Sequence, residues 1–234
     1  MTQVNLTKDL SAYYTFDDAD IDNSRDMVQD RSGHGLTATV HGGITYGVDS
    51  PVGESVSFPS DSGAIVASDS YEHPRLNVVT VSAVIRPDEK ASRLMSMGSA
   101  GDAFREFRMT DDLLQVGNDE LSDTVTASYS APEDEWSHVV GRFDLNGSAD
   151  AFLNGEHVDS EVVPDNWEEE HLESRIQNEP WYVGDRPNFG WLDGDDDTNN
   201  WHGEIASYRL YHRKLSDIEI QLLANQTGRM VSSL

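Results

Sequence analysis

The sequence predicts an all-β fold, a sandwich of short antiparallel strands followed by one short helix near the C-terminus. Three observations predict it. Residues 136–158 read as strand, turn, strand, turn, strand, because Asn146-Gly147 and Asn154-Gly155 punctuate alternating runs and Asn-Gly suits the two positive φ values of a tight hairpin turn. Residues 78–85, VVTVSAVI, are the most β-branched run of the chain and read as a central, largely buried strand ended by Pro87. Short β-prone runs at 94–97, 104–109, 113–116 and 124–129 are separated by Gly and Asp turns, at the spacing of a sandwich.

The remaining elements follow from the N-terminus. Residues 10–16 form a strand, 17–31 a polar loop, and 36–40 and 53–58 short strands around a Gly42-Gly43 turn. In the central segment Trp136, His138 and Val140 alternate with Ser137, Val139 and Gly141, so one face packs on a core and the other meets solvent or a second layer. Residues 164–200 make an irregular, acidic, Trp-rich excursion interrupted by a strand at 180–184, and such loops are where function concentrates. Ser216 and Glu219 form a capping box ahead of Ile220, Leu222 and Leu223, with Gly228 placed to end the helix.

Three motifs in order carry a family resemblance. WSHVVGRFD at 136–144 with FLNGE at 152–156, the opening LSAYYTFD at 10–17 with DRSGHG at 30–35, and HGEIASYRLY at 202–211 with LSDIEI at 215–220 together resemble LamG-like, concanavalin A-like jelly-roll domains. His34 stands where that family usually has Asn. The resemblance implies a two-sheet antiparallel jelly-roll sandwich, and we read residues 10–228 as a single domain between an N-terminal extension at 1–9 and a tail at 229–234. It also implies a structural calcium ion tying the opening turn to the closing strand, with Asp17 or Asp30 and Glu204 as donors. Trp136, Trp181 and Trp201 fall at family core positions, and His138 reads as a structural histidine.

Composition carries a second message. Asp and Glu number 43 against 16 Lys and Arg, for a net charge of -27. So large a charge repels itself at low salt, where the screening length is ~30 Å at 0.01 M against ~3 Å at 1 M, so the chain reads as halophilic. The acidic residues are spread along the sequence and read as a solvated surface. No basic cluster is present to displace counterions from phosphates, which argues against nucleic acid. Cysteine is absent, so disulfides cannot staple the fold. The opening MTQVNLTKDL lacks an apolar leader, and no apolar run approaches the ~20 residues that span a bilayer.

Catalytic patterns are missing. No strand carries the Glu-x-Asp-x-x-Glu arrangement of sandwich-fold glucanases, and Gly-x-Ser-x-Gly, phosphate-loop and His-Glu-x-x-His motifs are absent, so we expect a non-enzyme. Calcium takes oxygen ligands, and Asp193, Asp195, Asp197, Asn199 and Glu204 fall at positions 1, 3, 5, 7 and 12 of an EF-hand-like count, although Thr198 replaces the glycine and a surface this acidic also yields such clusters. Trp167, Trp191, Phe189 and Tyr182, with Asn166, Asn188 and Asp193, either form an aromatic platform with polar groups around it, as a glycan site requires, or pin the excursion to the sandwich. We therefore expect a recognition or adhesion module for glycans or glycosylated surfaces, on an extracellular or virion surface in strong salt. The alternative is an architectural subunit that meets only protein neighbours.

Overall fold

The computed structural model describes residues 4–22, 26–58, 63–66, 77–88, 93–97, 105–118, 124–164, 181–184 and 201–231. In chain order the strands are β1 (Leu10–Tyr14), β2 (Ile21–Asp22), β3 (Met27–Val28), β4 (Ala38–Gly42), β5 (Thr45–Ser50), β6 (Gly53–Phe58), β7 (Gly63–Val66), β8 (Val78–Pro87) and β9 (Arg93–Met97). There follow β10 (Arg105–Thr110), β11 (Leu113–Asn118), β12 (Val125–Ser128), β13 (Ser137–Asp144), β14 (Ser148–Leu153), β15 (Glu156–Val162), β16 (Trp181–Val183), β17 (Gly203–Tyr211) and helix α1 (Asp217–Val231). An eight-stranded sheet runs β15-β14-β13-β8-β17-β6-β5, and β1 pairs with β17 beside β6. A nine-stranded sheet runs β12-β11-β10-β9-β16-β7-β4-β3-β2. Every strand pair is antiparallel, as the sequence predicts.

One core fills the space between the sheets. Val79, Val81, Ala83 and Ile85 of β8 and Val139 and Phe143 of β13 meet Met109, Leu114, Val116, Trp181 and Val183 of the other sheet, all buried. The alternation read from β13 holds, but its core face is the one bearing Val139 and Phe143. The opposite face, with Val140, is covered by a second layer: Leu215, Ile220 and Leu223, at and beyond the start of α1, pack on Leu10, Val140, Phe152 and Tyr211. That layer needs a close approach at the β14–β15 turn. Asn154 and Gly155 adopt positive φ of 52° and 85°, and a Cβ on Gly155 would stand 2.8 Å from that of Ala224.

Several boundaries differ from expectation, each for a local reason. Asn146-Gly147 is not a turn of two positive φ values; Asp144 closes it instead, its carboxylate accepting from Asn146 N at 3.1 Å and its carbonyl from Gly147 N at 2.9 Å. Gly42-Gly43 does not join two strands of one hairpin, because β4 belongs to the nine-stranded sheet and the next strand, β5, to the other. The expected polar loop at 17–31 contains a short 3-10 turn and the β2–β3 pair. The capping box forms, with Ser216 N donating to Glu219 Oε2 at 2.8 Å, and Arg213 holds the Glu219 carboxyl down to about 2. The helix nevertheless passes through Gly228, since one glycine costs only ~1 kcal/mol within a helix.

The two sheets also meet edge to edge. Thr126 N and Ser128 N of edge strand β12 donate to Glu161 Oε2 at 2.5 Å and Asp159 Oδ2 at 2.8 Å on β15, so carboxylates occupy part of an edge that would otherwise invite another strand. Among the described residues no helix is long and apolar enough to cross a membrane. With a net charge of -27 on this framework, the melting temperature should climb as salt is raised from about 0.1 M to about 1 M, over which the screening length falls from ~10 to ~3 Å. Thermal melts in KCl check this, and a flat profile would remove the halophilic reading.

Candidate functional site on the nine-stranded sheet

Tyr182 lies on β16, the middle strand of the nine-stranded sheet. Its neighbours Trp181 and Val183 are buried in the core, which leaves Tyr182, half-buried, on the outer face. Register extends that position into a row. Met27, Thr39, Val66, Tyr182, Ser96, Arg108, Gln115 and Thr126 stand opposite one another on successive strands from β3 to β12. At ~4.8 Å per strand the row is about 34 Å long. Within the row Thr39, two strands from Tyr182, is exposed, and Gln115 and Thr126, three and four strands away on the other side, are half-buried.

The other expected platform residues, Asn166, Trp167, Asn188, Phe189, Trp191 and Asp193, lie outside the described residues, on the segments that in sequence precede and follow β16. So do Asp195, Asp197 and Asn199 of the acidic cluster. Of the expected core tryptophans, Trp181 and Trp201 are buried. Trp136 is not: it is half-exposed on the outer face of the eight-stranded sheet, with the Arg86 guanidinium 5.7 Å from its ring centre. Whether a strand residue points in or out follows from the register of its neighbours, and Val139 and Phe143 claim the core face of this strand. His138 is structural. It is buried, bonded through Nε2 to Ser82 Oγ at 2.9 Å, and burial, with Arg209 adding to it, pushes its imidazole down to about 3.

Asp17, Asp30 and Glu204 do not fit a shared calcium ion. Asp30 caps its own turn, accepting from Tyr13 N at 3.0 Å, Ser32 N at 2.8 Å, Ser32 Oγ at 2.6 Å and Leu36 N at 3.1 Å. Tyr13 faces Arg209 on β17, and Glu204 lies five residues back along that strand, about 16 Å away. Asp17 accepts from Glu54 N at 3.1 Å, while both oxygens of Glu204 are taken by Arg86, so its carboxylate is neutralised within the sheet. Among the described residues no group of three or more acidic or histidine side chains converges as metal ligands would.

Known proteins bear on this geometry in three ways. No curated protein matches the sequence. Residues 59–221, well over half of the chain, match the family model described as the concanavalin A-like lectin/glucanases superfamily, of laminin G type. The chain belongs to that superfamily. Among solved structures this superfamily member is similar to the binding domain of botulinum neurotoxin DC in complex with rat synaptotagmin II, with a TM-score of 0.65 at 11% identity over 95% of this chain and 52% of that one. The binding domain of Paraclostridial Mosquitocidal Protein 1 has a TM-score of 0.65 at 16% identity, over 94% and 53%. Domain 4 of an extracellular arabinanase from Geobacillus stearothermophilus, in complex with arabinotriose, has a TM-score of 0.59 at 18% identity, over 92% and 98%. The chain thus spans about half the length of the toxin binding domains and nearly all of the arabinanase domain. At these identities the likeness is one of fold, the concanavalin A-like jelly roll that the sequence predicts.

Proposed function

We propose that the protein is a non-enzymatic, lectin-like module that binds an extended carbohydrate along the outer face of its nine-stranded sheet. The row centred on Tyr182 carries the reading, because it sets an aromatic residue in line with Thr39, Gln115 and Thr126, with Arg108 at one register position between them, over a length that suits a chain of sugars. The expected aromatics of residues 164–200 adjoin Tyr182 in sequence on both sides. The superfamily and the arabinotriose complex of the similar arabinanase domain support the substrate class. The described carboxylates do not favour hydrolysis: Glu204 is locked to Arg86, and Asp30 is spent on its turn.

Tyr182→Ala tests this. A half-buried ring on the outer face supports the core little, so the melting temperature should move by no more than a few degrees while retention on a glycan array in strong salt is lost. Unchanged retention with an unchanged melt would turn the reading toward the architectural role. Trp167→Ala and Trp191→Ala should behave as Tyr182→Ala does if the expected platform extends the row, and should instead lower the melting temperature if these rings pin the excursion.

A further inference from the structure

Arg209 is an anomaly in so acidic a chain. Arg31, Arg86, Arg142 and Arg213 hold Asp20, Glu204, Asp150 and Glu219 respectively, whereas Arg209 has no carboxylate partner among the described residues. Its guanidinium stacks on the Tyr13 ring, 4.2 Å from the centroid, and Nη2 donates to Tyr13 Oη at 2.9 Å. It lines a cleft of about 160 Å3 on the outer face of the eight-stranded sheet. The topology opens that cleft. β6 pairs with β17 at Gly203–Ile205 and β1 pairs with it from Tyr208 to Tyr211, so the sheet is notched between them, at a bulge after Ile205.

Other groups around the notch complement a cation. Tyr13, Thr15, Asp17, Ser207 and Gln226 line it with Arg209. Thr15 Oγ1 is committed to Asp20, and Asp17 Oδ1 to Glu54 N at 3.1 Å. Asp17 Oδ2, Ser207 Oγ and the Gln226 amide have no hydrogen bond among the described residues. The volume is small beside the ~300–1,000 Å3 of pockets for drug-sized ligands, so it admits one ring and not a chain. A fork-shaped cation that keeps its charge without a partner fits a planar carboxylate, and a lone carboxylate acceptor beside it fits hydroxyl donors. One ligand class carries both.

We propose that this notch is a second site, for a single acidic sugar unit of the uronic acid type, with its carboxylate on Arg209 and its hydroxyls on Asp17, Ser207 and Gln226. The choice of a sugar rests on the carbohydrate reading above, but the site lies on the opposite sheet from Tyr182.

Titration of the intact chain with glucuronic acid, glucose and acetate, followed by NMR, tests the proposal. Glucuronic acid should saturate shifts around Ser207, while glucose and acetate bind at least about tenfold more weakly, since each makes only part of the contact. Arg209→Gln should weaken glucuronic acid by about tenfold or more, in line with loss of a charged hydrogen bond. If that variant unfolds, Gln226→Glu, on an exposed helical position, still places a repelling charge at the rim and should weaken the anions glucuronic acid and acetate but not glucose. Equal binding of acetate or glucose, no saturation by glucuronic acid, or wild-type binding in a folded variant overturns the proposal. The two sites separate cleanly. Loss of glucuronic acid binding in Tyr182→Ala would overturn the notch and keep the carbohydrate function, whereas saturation at the notch with no retention of neutral glycans would keep the notch and remove the platform.

Discussion

Trp181→Ala should lower stability by ~3–5 kcal/mol, the usual cost of emptying a buried tryptophan site. For a chain of this size each kcal/mol moves the melting temperature by ~2–4 °C, so a fall of about 6–20 °C is expected. Trp181 is completely buried on the middle strand of the nine-stranded sheet, opposite Met97 on β9. Tyr182, one residue on, should cost little when truncated, because the pleat turns it away from the core. Calorimetric melts of the two single variants measure the difference directly. Equal losses would show that the outer face is itself covered, and the carbohydrate row would have no free surface.

Arg142→Met should be nearly as damaging. Arg142 is buried beneath the start of α1, where Nε donates to Asp150 Oδ2 at 2.8 Å and Nη1 donates to Leu215 O and to Asp217 Oδ1, each at 2.7 Å. It also lies 4.7 Å over the Phe152 ring. Removing it strands the buried Asp150 carboxylate, at a cost of ~3–5 kcal/mol, and frees the helix start from the sheet. Lys214, 3.8 Å from Asp150, recovers part of the loss. The double variant Arg142→Met, Asp150→Leu should regain much of it, because a packed apolar pair replaces a buried ion pair at little net cost. The pH response gives a second readout. Burial pushes the Asp150 carboxyl up, but hydrogen bonds from Ser148, Ser160 and Arg142 outweigh it and hold the group below its ordinary 3.8. Its contribution is therefore complete above that value and is lost as pH falls through the lower, folded value, and the acid limb of the wild-type stability curve should flatten in Arg142→Met. A double variant no more stable than the single one would show that the ion pair is not the link.

The sandwich was legible because its signals are local. The β-branched run of β8, the Asn154-Gly155 turn and the Ser216-Glu219 box each act within a few residues, and each stands where the sequence places it. β5 escaped because only Tyr46 and Val48 mark its inner face, neither of them fully buried, and Gly47, at a positive φ of 69°, stands between them. The misreadings share a different cause, which is pairing across long separations. Asp17, Asp30 and Glu204 are plausible calcium donors as residues, yet the register of β1 on β17 sets Asp30 and Glu204 far apart and gives each a nearer partner. Trp136 belongs to a strand whose alternation was readable, while the choice of core face was made by Phe143 and the opposing sheet. Arg209 had no sequence signal at all. Its meaning comes from the carboxylate it lacks among the described residues, and an absence of that kind exists only in three dimensions.

The notch beside Arg209 has a consequence in time as well as in space. β17 is bordered by β8 on one side and by both β6 and β1 on the other, and its side-chain bond from Arg209 to Tyr13 joins residues 196 positions apart. Closing such long loops is what slows two-state folding, since their entropy is lost before the contacts that reward it can form. During synthesis, β1, β6 and β8 emerge before β17, the strand that unites them. Until then their edges are open, and the dense negative charge of the chain acts as its own chaperone by keeping waiting copies apart.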